Sequence, residues 1–199
     1  MHKEKILLGT SNQGKITEFL FYLEFFKIFQ NFEIITLNSY PNMGEPEENE
    51  TTFDGNASSK SSFFYNGSNL TCLSDDSGFI INGSDNFPGV KTARLAKEKG
   101  GISGAIKSIF NDFKELKEIP IIFYCSLSLK SKNKTLGVSG SVRGILISEA
   151  RGENGFGYDP YFIPENHQET FAEMGSKEKM LASHRYRAFK NLSLRLIQK

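Results

Sequence analysis

Apolar residues at positions 6, 7 and 8 ahead of Gly9 and Thr10 predict a short strand, Lys5 to Thr10. The spacing of Ile16, Phe19, Leu20, Leu23 and Phe26 or Lys27 predicts a helix directly after it, so Thr10-Ser11-Asn12-Gln13-Gly14-Lys15 is a strand-to-helix turn. Glu33 to Leu37 reads as a second strand. Asn38 to Thr51 is polar, carries Pro41, Gly44 and Pro46 and gathers Glu45, Glu47, Glu48 and Glu50, which predicts a mobile acidic loop. Phe53 to Tyr65 is helical in pattern. Leu70 to Leu73 and Phe79 to Ile81 read as two strands, with Asp75-Asp76-Ser77-Gly78 between them, and Pro88 opens a short helix through Ala96. Ile102 to Phe113 is an amphipathic helix, and Ile119 to Leu129 and Val138 to Ile147 are long β-type runs with Gly137, Gly140 and Gly144 expected at bulges or turns. A last helix is expected to start near Ser176, its N-cap candidate, with Glu178 in the first turn, and to run through His184 to near the C-terminus. Alternating strands and helices with one long antiparallel pair predict an α/β fold built on a mixed sheet. No internal repeat, low-complexity tract or independent linker divides the chain.

A chain of 199 residues is the size of one large domain or two small lobes and can bury a stable core without disulfides. The longest apolar runs fall short of the roughly 18 residues a membrane span needs, so no membrane association is expected. Only Ile6-Leu7-Leu8 follows the charged N-terminus, too short a stretch for a secretory signal, and a cytoplasmic location is expected. The 24 basic and 23 acidic residues are interspersed, so the whole-molecule field exerts no strong pull on nucleic acid, and no nucleic-acid partner is expected. Cys72 and Cys125 lie in apolar strand-like contexts without a paired motif, as buried reduced thiols do.

Four short blocks carry the candidate chemistry. The turn from Thr10 to Lys15 opens a helix where backbone N–H groups and the helix dipole attract phosphate, with Lys15 adding a point charge. It is not a Walker sequence, and a capped helix with a surface lysine reads the same way. In Asp75-Asp76-Ser77-Gly78 two adjacent carboxylates repel, by roughly 4 kcal/mol at 4 Å in an effective dielectric near 20, and need a cation, a lysine or a shared proton to coexist. A plain turn with Asp as backbone acceptor is the alternative. Were Mg²⁺ to sit here, Asp76 and Glu48 from the acidic loop would be its hard oxygen ligands, with water and triphosphate oxygens completing an octahedron. Gly155-Phe156-Gly157-Tyr158-Asp159-Pro160 sets aromatic rings between glycines that permit close backbone approach, suited to stacking by Phe156 and acceptance by Asp159, or to a turn with packed aromatics. Ser183-His184-Arg185 lies on the expected last helix, so His184 and Arg185 point about 100° apart and Lys179 falls one turn earlier. A Gly-x-Ser-x-Gly nucleophile turn is absent and no Cys/His spacing suggests zinc.

Taken together, Thr10-x-Asn12-x-x-Lys15-x-x-Glu18, Thr52-Phe53-x-x-Asn56-Ala57-x-x-Lys60, Asp75 to Gly78, Pro88-Gly89-Val90-x-x-Ala93-Arg94, Phe156 to Pro160, Thr170-x-Ala172-Glu173 and Ser183 to Arg185 resemble the inosine triphosphate pyrophosphatase family. The resemblance implies an elongated, two-lobed α/β fold forming a single domain over 1–199, with the active site in the cleft between lobes, and a homodimer. It implies Mg²⁺-dependent hydrolysis of ITP, dITP and XTP to the monophosphate and pyrophosphate. Position by position, Thr10, Ser11, Asn12, Gln13, Gly14 and Lys15 match the phosphate-binding segment, Lys60 a triphosphate-contacting lysine and Glu48 the acidic metal-site residue. Asp76 matches the proton acceptor and metal ligand, with Asp75 and Ser77 beside it. Phe156, Gly157, Tyr158 and Asp159 match the base-stacking segment, and Lys179, His184 and Arg185 the residues that hold the base edge. Gly55, Lys91 and Met180 depart from the residues common in the family, which leaves a nucleotide-binding module without turnover as one alternative; a pyrophosphatase for other modified nucleotides is a second, against which the Ser183 to Arg185 block argues.

Overall fold

A computed structural model describes residues 3–197. The two residues at each end of the expected 1–199 domain lie outside the described residues. Six strands, β1 (Glu4–Leu8), β2 (Phe32–Thr36), β3 (Thr71–Ile81), β4 (Glu118–Lys130), β5 (Thr135–Ile147) and β6 (Phe162–Pro164), form one sheet in the order β2-β1-β3-β4-β5-β6. β1 runs parallel to β2, with Ile6 opposite Ile34, and parallel to β3, with Leu7 opposite Cys72; β6 runs antiparallel to β5, with Phe162 opposite Leu146. The sheet is therefore mixed, as the alternation of elements predicts. The helices are α1 (Gln13–Phe25), α2 (Phe53–Ser68), α3 (Thr92–Glu98), α4 (Ile102–Asp112), α5 (Ser176–Ala182) and α6 (His184–Ile197).

The chain falls into two compact units and passes between them four times, with unit 1 made of Met1–Ser77, Cys125–Gly140 and Arg185–Lys199, and unit 2 of Gly78–Tyr124 and Ser141–His184. Within unit 1, α1 begins where Asn12, in extended conformation, accepts a hydrogen bond from the Lys15 amide, and α2 begins where Thr52 accepts from Gly55 N. Each cap satisfies an amide the helix itself cannot. α1 turns Ile16, Phe19, Tyr22 and Leu23 inward, and Phe19 and Tyr22 each lie 5.0 Å from the Phe189 ring of α6. The inward stripe takes Tyr22 in place of the expected Leu20, which is 43% exposed. Within unit 2, Phe79, Ile81, Ile106, Ile109, Ile119, Ile121, Phe162 and Phe171 build the core on which α3 and α4 rest. Among the described residues no helix is long and apolar enough to cross a membrane.

Three elements differ from their sequence-based expectation. The Asp75 to Gly78 block lies inside one continuous strand, β3, and not between two. Gly78 serves close approach there and not a turn: a Cβ on it would sit 2.5 Å from Thr92 Oγ1. Likewise Gly137, Gly140 and Gly144 all lie within β5, and the turn after β4 falls earlier, where Ser131 N donates to Lys134 O at 2.8 Å. Gly144 lets the backbone of Ile163 pass where any side chain would clash. The single last helix is two, because Ser183 is extended (ψ 158°) and separates α5 from α6, its hydroxyl donating to Met180 O. Ser176 is the first helical residue and Gly175 its cap.

Cys72 and Cys125 are both 0% exposed, and burial pushes each thiol up from an ordinary 9.0 to about 12. The unfolded chain releases these protons above about pH 9 while the folded chain keeps them until about pH 12, so their stabilising contribution is intact below pH 9 and is lost between the two values. Thermal unfolding at pH 8 and pH 10.5 is expected to show a loss of stability at the higher pH that is smaller by several degrees in Cys72→Ala/Cys125→Ala. An equal loss in both proteins would contradict this assignment.

Candidate active site

Unit 1 gathers most of the sequence-predicted phosphate and metal residues. Adjacent residues on a strand point to opposite faces, and β3 therefore sends Asp75 and Asp76 apart to different cations. Asp75 Oδ2 lies 2.9 Å from Lys15 Nζ and accepts a hydrogen bond from Ser77 Oγ at 3.1 Å, with Arg185 at 4.0 Å. Burial alone would raise the Asp75 carboxyl, but Lys15, Arg185 and Lys60 outweigh it and hold the group below the usual carboxylate range. Asp76 meets Lys60 Nζ at 3.2 Å through Oδ1, while its Oδ2 accepts from Asn56 Nδ2 at 3.0 Å. Here burial wins: the Asp76 carboxyl is pushed above the usual range, with Lys60 and Asn56 offsetting it only in part. The repulsion expected between two neighbouring carboxylates is relieved by giving each its own partner.

Lys60, on α2, also lies 2.6 Å from Glu48 Oε1 and donates to the Asp75 carbonyl at 3.2 Å. Burial would lower its pKa, yet Asp76, Asp75 and Glu48 together raise it. The acidic segment is tied down again where Glu50 N donates to Asn56 Oδ1 at 3.1 Å, so Asn56 orients Asp76 with one end of its amide and the acidic segment with the other. Asn56 was legible in the sequence as part of a motif, but nothing in the spacing showed that it faces Asp76. At Gly55, a Cβ would lie 2.8 Å from Glu50 Cβ, so the glycine and the acidic segment fit one another. Of the remaining turn residues, Ser11 and Gln13 are exposed, Gly14 is half-buried, and Thr10 Oγ1 accepts from Asn12 N at 3.3 Å.

Glu48 Oε1 and Asp76 Oδ1 thus converge on one ammonium. Among the described residues no group of three or more His, Cys, Asp or Glu could hold a metal ion. Two carboxylates facing a single cationic position fit a hard ion that takes one or two protein carboxylates and fills its shell with water and substrate phosphate, which is the habit of Mg²⁺.

The base-side residues of the sequence analysis belong to unit 2, with one exception. Asp159 Oδ2 accepts from Phe156 N at 2.7 Å and lies 3.0 Å from Lys179 Nζ, and that ammonium sits 4.7 Å from the centre of the Phe156 ring. Gly155, at φ +77°, is required here, since any side chain would collide with the Asp159 carboxylate. The Phe156 ring is held from beneath by a cation that is itself neutralised by Asp159. Gly157 is a second positive-φ glycine in the same turn. Tyr158 turns inward: its ring lies 5.0 Å from Phe79, its hydroxyl donates to the Thr92 carbonyl, and burial pushes that hydroxyl up to about 12. Thr92 was not singled out from sequence, yet its hydroxyl donates to Gly89 O at 2.6 Å and accepts from Phe79 N, tying the start of α3 to β3. His184 stacks on Phe123 at 5.0 Å and 25°.

Arg185 is the exception. It follows His184 directly, but its guanidinium belongs to unit 1, 3% exposed, bonded to Glu18 of α1 and donating to Ser77 Oγ at 3.2 Å. His184 and Arg185 share one helix, α6, as expected, but Lys179 does not lie a turn earlier on it, because the extended Ser183 leaves Lys179 on α5. Glu18 stood in the sequence as part of a motif without an assigned role, and nothing in the spacing showed that it is buried.

Set against known proteins, the model of the Ham1 family matches residues 6–194. A dITP/XTP pyrophosphatase of Bacillus cereus is 36% identical over 197 residues, covering 95% of this chain and 93% of that protein. The solved structure of a HAM1 protein from Coxiella burnetii covers 98% of this chain and 100% of its own, with a TM-score of 0.85 and 29% identity. The Staphylococcus aureus Ham1 protein covers 98% and 99%, with a TM-score of 0.84 and 29% identity. The family model, the sequence identity over most of the chain and the likeness of fold over nearly its full length agree, and the chain belongs to the Ham1 family.

Proposed function

We propose that this protein hydrolyses the triphosphates of deaminated purines, ITP, dITP and XTP, to the monophosphate and pyrophosphate. The observation that carries the reading is the convergence of Glu48 and Asp76 on one cationic position, held here by the Lys60 ammonium, with Lys15 on the neighbouring Asp75. The Bacillus cereus relative named for dITP and XTP supports the substrate class. The unit 1 residues Lys15, Lys60, Glu48 and Asp76 suit the phosphates of a nucleotide, and the turn from Phe156 to Asp159 suits a base. Glu48 and Asp76 would hold Mg²⁺. Bound there, the ion would draw charge from the phosphate oxygens and ease attack at phosphorus.

Asp76 in its ionised form accepts a proton from the water that attacks the α-phosphorus as pyrophosphate leaves, and Asn56 holds the carboxylate in place through Oδ2. Lys15, Lys60 and the turn from Thr10 to Gly14 take the negative oxygens of the triphosphate. Phe156 stacks on the base, and Lys179, His184 and Arg185 supply donors to its edge. A guanidinium carries five N–H donors, so Arg185 can brace Glu18 and still donate elsewhere. Adenine presents an amino group where hypoxanthine presents a carbonyl, and guanine presents an amino group at position two. Either would set donor against donor, and a site built on hydrogen-bond polarity rejects such a base by large factors. The homodimer implied by the resemblance belongs to the same proposal, as does a cytoplasmic location.

Pyrophosphate release measured for each nucleotide, with Mg²⁺ and with chelator, tests the reading. ITP, dITP or XTP should exceed GTP and ATP in kcat/KM by about 10²-fold or more, and chelator should abolish turnover. Equal kcat/KM for ITP and GTP would overturn the account of base selection.

A further inference from the structure

Lys60 Nζ has three N–H donors and three acceptors around it: Glu48 Oε1 at 2.6 Å, Asp76 Oδ1 at 3.2 Å and the Asp75 carbonyl at 3.2 Å. We propose that in the nucleotide-free enzyme this ammonium stands where the metal binds, so that Lys60 and the metal compete for Glu48 and Asp76 until a triphosphate draws Lys60 onto its own oxygens. The inference rests on the metal site of the proposed function and adds an order to it: metal and nucleotide bind synergistically, each favouring the other by the same factor.

Two features of the site favour exchange over coexistence. A divalent ion between the same two oxygens would lie within a few ångströms of a buried ammonium, a repulsion weakly screened where the Lys60 side chain is only 12% exposed. The alternatives open to the acids are also unequal. Asp75 already has Lys15 at 2.9 Å, and the carboxylates in ion-pair contact with Lys60 are the two proposed metal ligands, Glu48 and Asp76. The lysine stem has four rotatable carbons and its ammonium is a point charge without fixed geometry, well suited to leaving one set of oxygens for another. Asp76, by contrast, is held through its other oxygen by Asn56 and does not follow. Lys60 therefore keeps the carboxylates neutralised and in place while the enzyme is empty, and reports the arrival of phosphate by leaving them.

Mn²⁺, visible by electron paramagnetic resonance, is the probe. Titrated into nucleotide-free protein, it should bind Lys60→Met at least tenfold more tightly than wild type, and adding Glu48→Gln to that variant should remove the gain. Lys60→Met with wild-type Mn²⁺ affinity, while Glu48→Gln weakens binding, would overturn the competition and leave the metal site standing. No Mn²⁺ binding in wild type or Lys60→Met, together with an Mg²⁺ requirement for turnover that Glu48→Gln does not change, would instead remove the site itself. Should Lys60→Met fold poorly, wild type alone decides: reductive methylation of Lys60 followed by mass spectrometry should proceed at least tenfold faster in saturating Mn²⁺, and an unchanged rate would refute the proposal.

Discussion

Asp76→Asn is expected to lower kcat for pyrophosphate release by about 10²- to 10⁴-fold, the range lost with a positioned general base. The substitution keeps the shape of the side chain and its bond to Asn56. On stability, relief of a buried carboxylate and loss of its ion pair with Lys60 act in opposite directions, and the protein is expected to stay folded. Burial raises the Asp76 carboxyl above the usual range, so the folded state disfavours the charged form, and at neutral pH the ionised group costs stability that the neutral amide does not. Because Asp76 is proposed to hold the metal as well, turnover is to be compared at saturating and limiting Mg²⁺. A deficit that persists at saturation marks the lost base, and one that disappears there marks only a lost ligand. Wild-type kcat in a folded Asp76→Asn protein would remove Asp76 from the mechanism.

Glu18→Ala should destabilise the protein by about 3–5 kcal/mol, the penalty for leaving one member of a buried ion pair without its partner. Glu18 is 2% and Arg185 3% exposed, and the Arg185 guanidinium also contacts Ser77 and lies near Asp75. Without Glu18 the buried positive charge faces α1 uncompensated. Glu18→Leu combined with Arg185→Met should recover most of the loss, since an apolar pair of similar volume needs no charge in the interior. Urea unfolding of the three proteins provides the comparison. A loss below about 1 kcal/mol in Glu18→Ala would show that the pair is solvated or dispensable.

These two residues mark how far the sequence could be read. Asp76 was accessible because paired carboxylates flanked by apolar runs are chemically conspicuous and match a family motif. Glu18 also stands in a family motif, but its burial was not legible, because a glutamate on a helix is by default a solvated residue. Its burial depends on a guanidinium 167 positions away. Asn56 shows the same limit: its motif was visible, but its bonds to Asp76 and Glu50 arise only when α2 is laid beside β3 and the acidic segment. The last helix failed for a local reason. Lys179 through Arg185 keeps a helical pattern of apolar and polar positions, and the extended backbone at Ser183 is not written in that pattern.

What the amino-acid sequence determined by itself is the class of chemistry and the succession of elements: hydrophobic periodicity separates strands from helices, Asn12 and Thr52 cap the helices they precede, and the motif set from Thr10 to Arg185 selects the family. Only the tertiary structure decided which charge answers which. Asp75 faces Lys15, Asp76 faces Lys60, and Arg185 parts from His184 to meet Glu18. Periodicity is a property of neighbours along the chain. The pairing of buried charges is settled by long-range packing, where desolvation makes each isolated charge too costly and each partner must come from a distant segment.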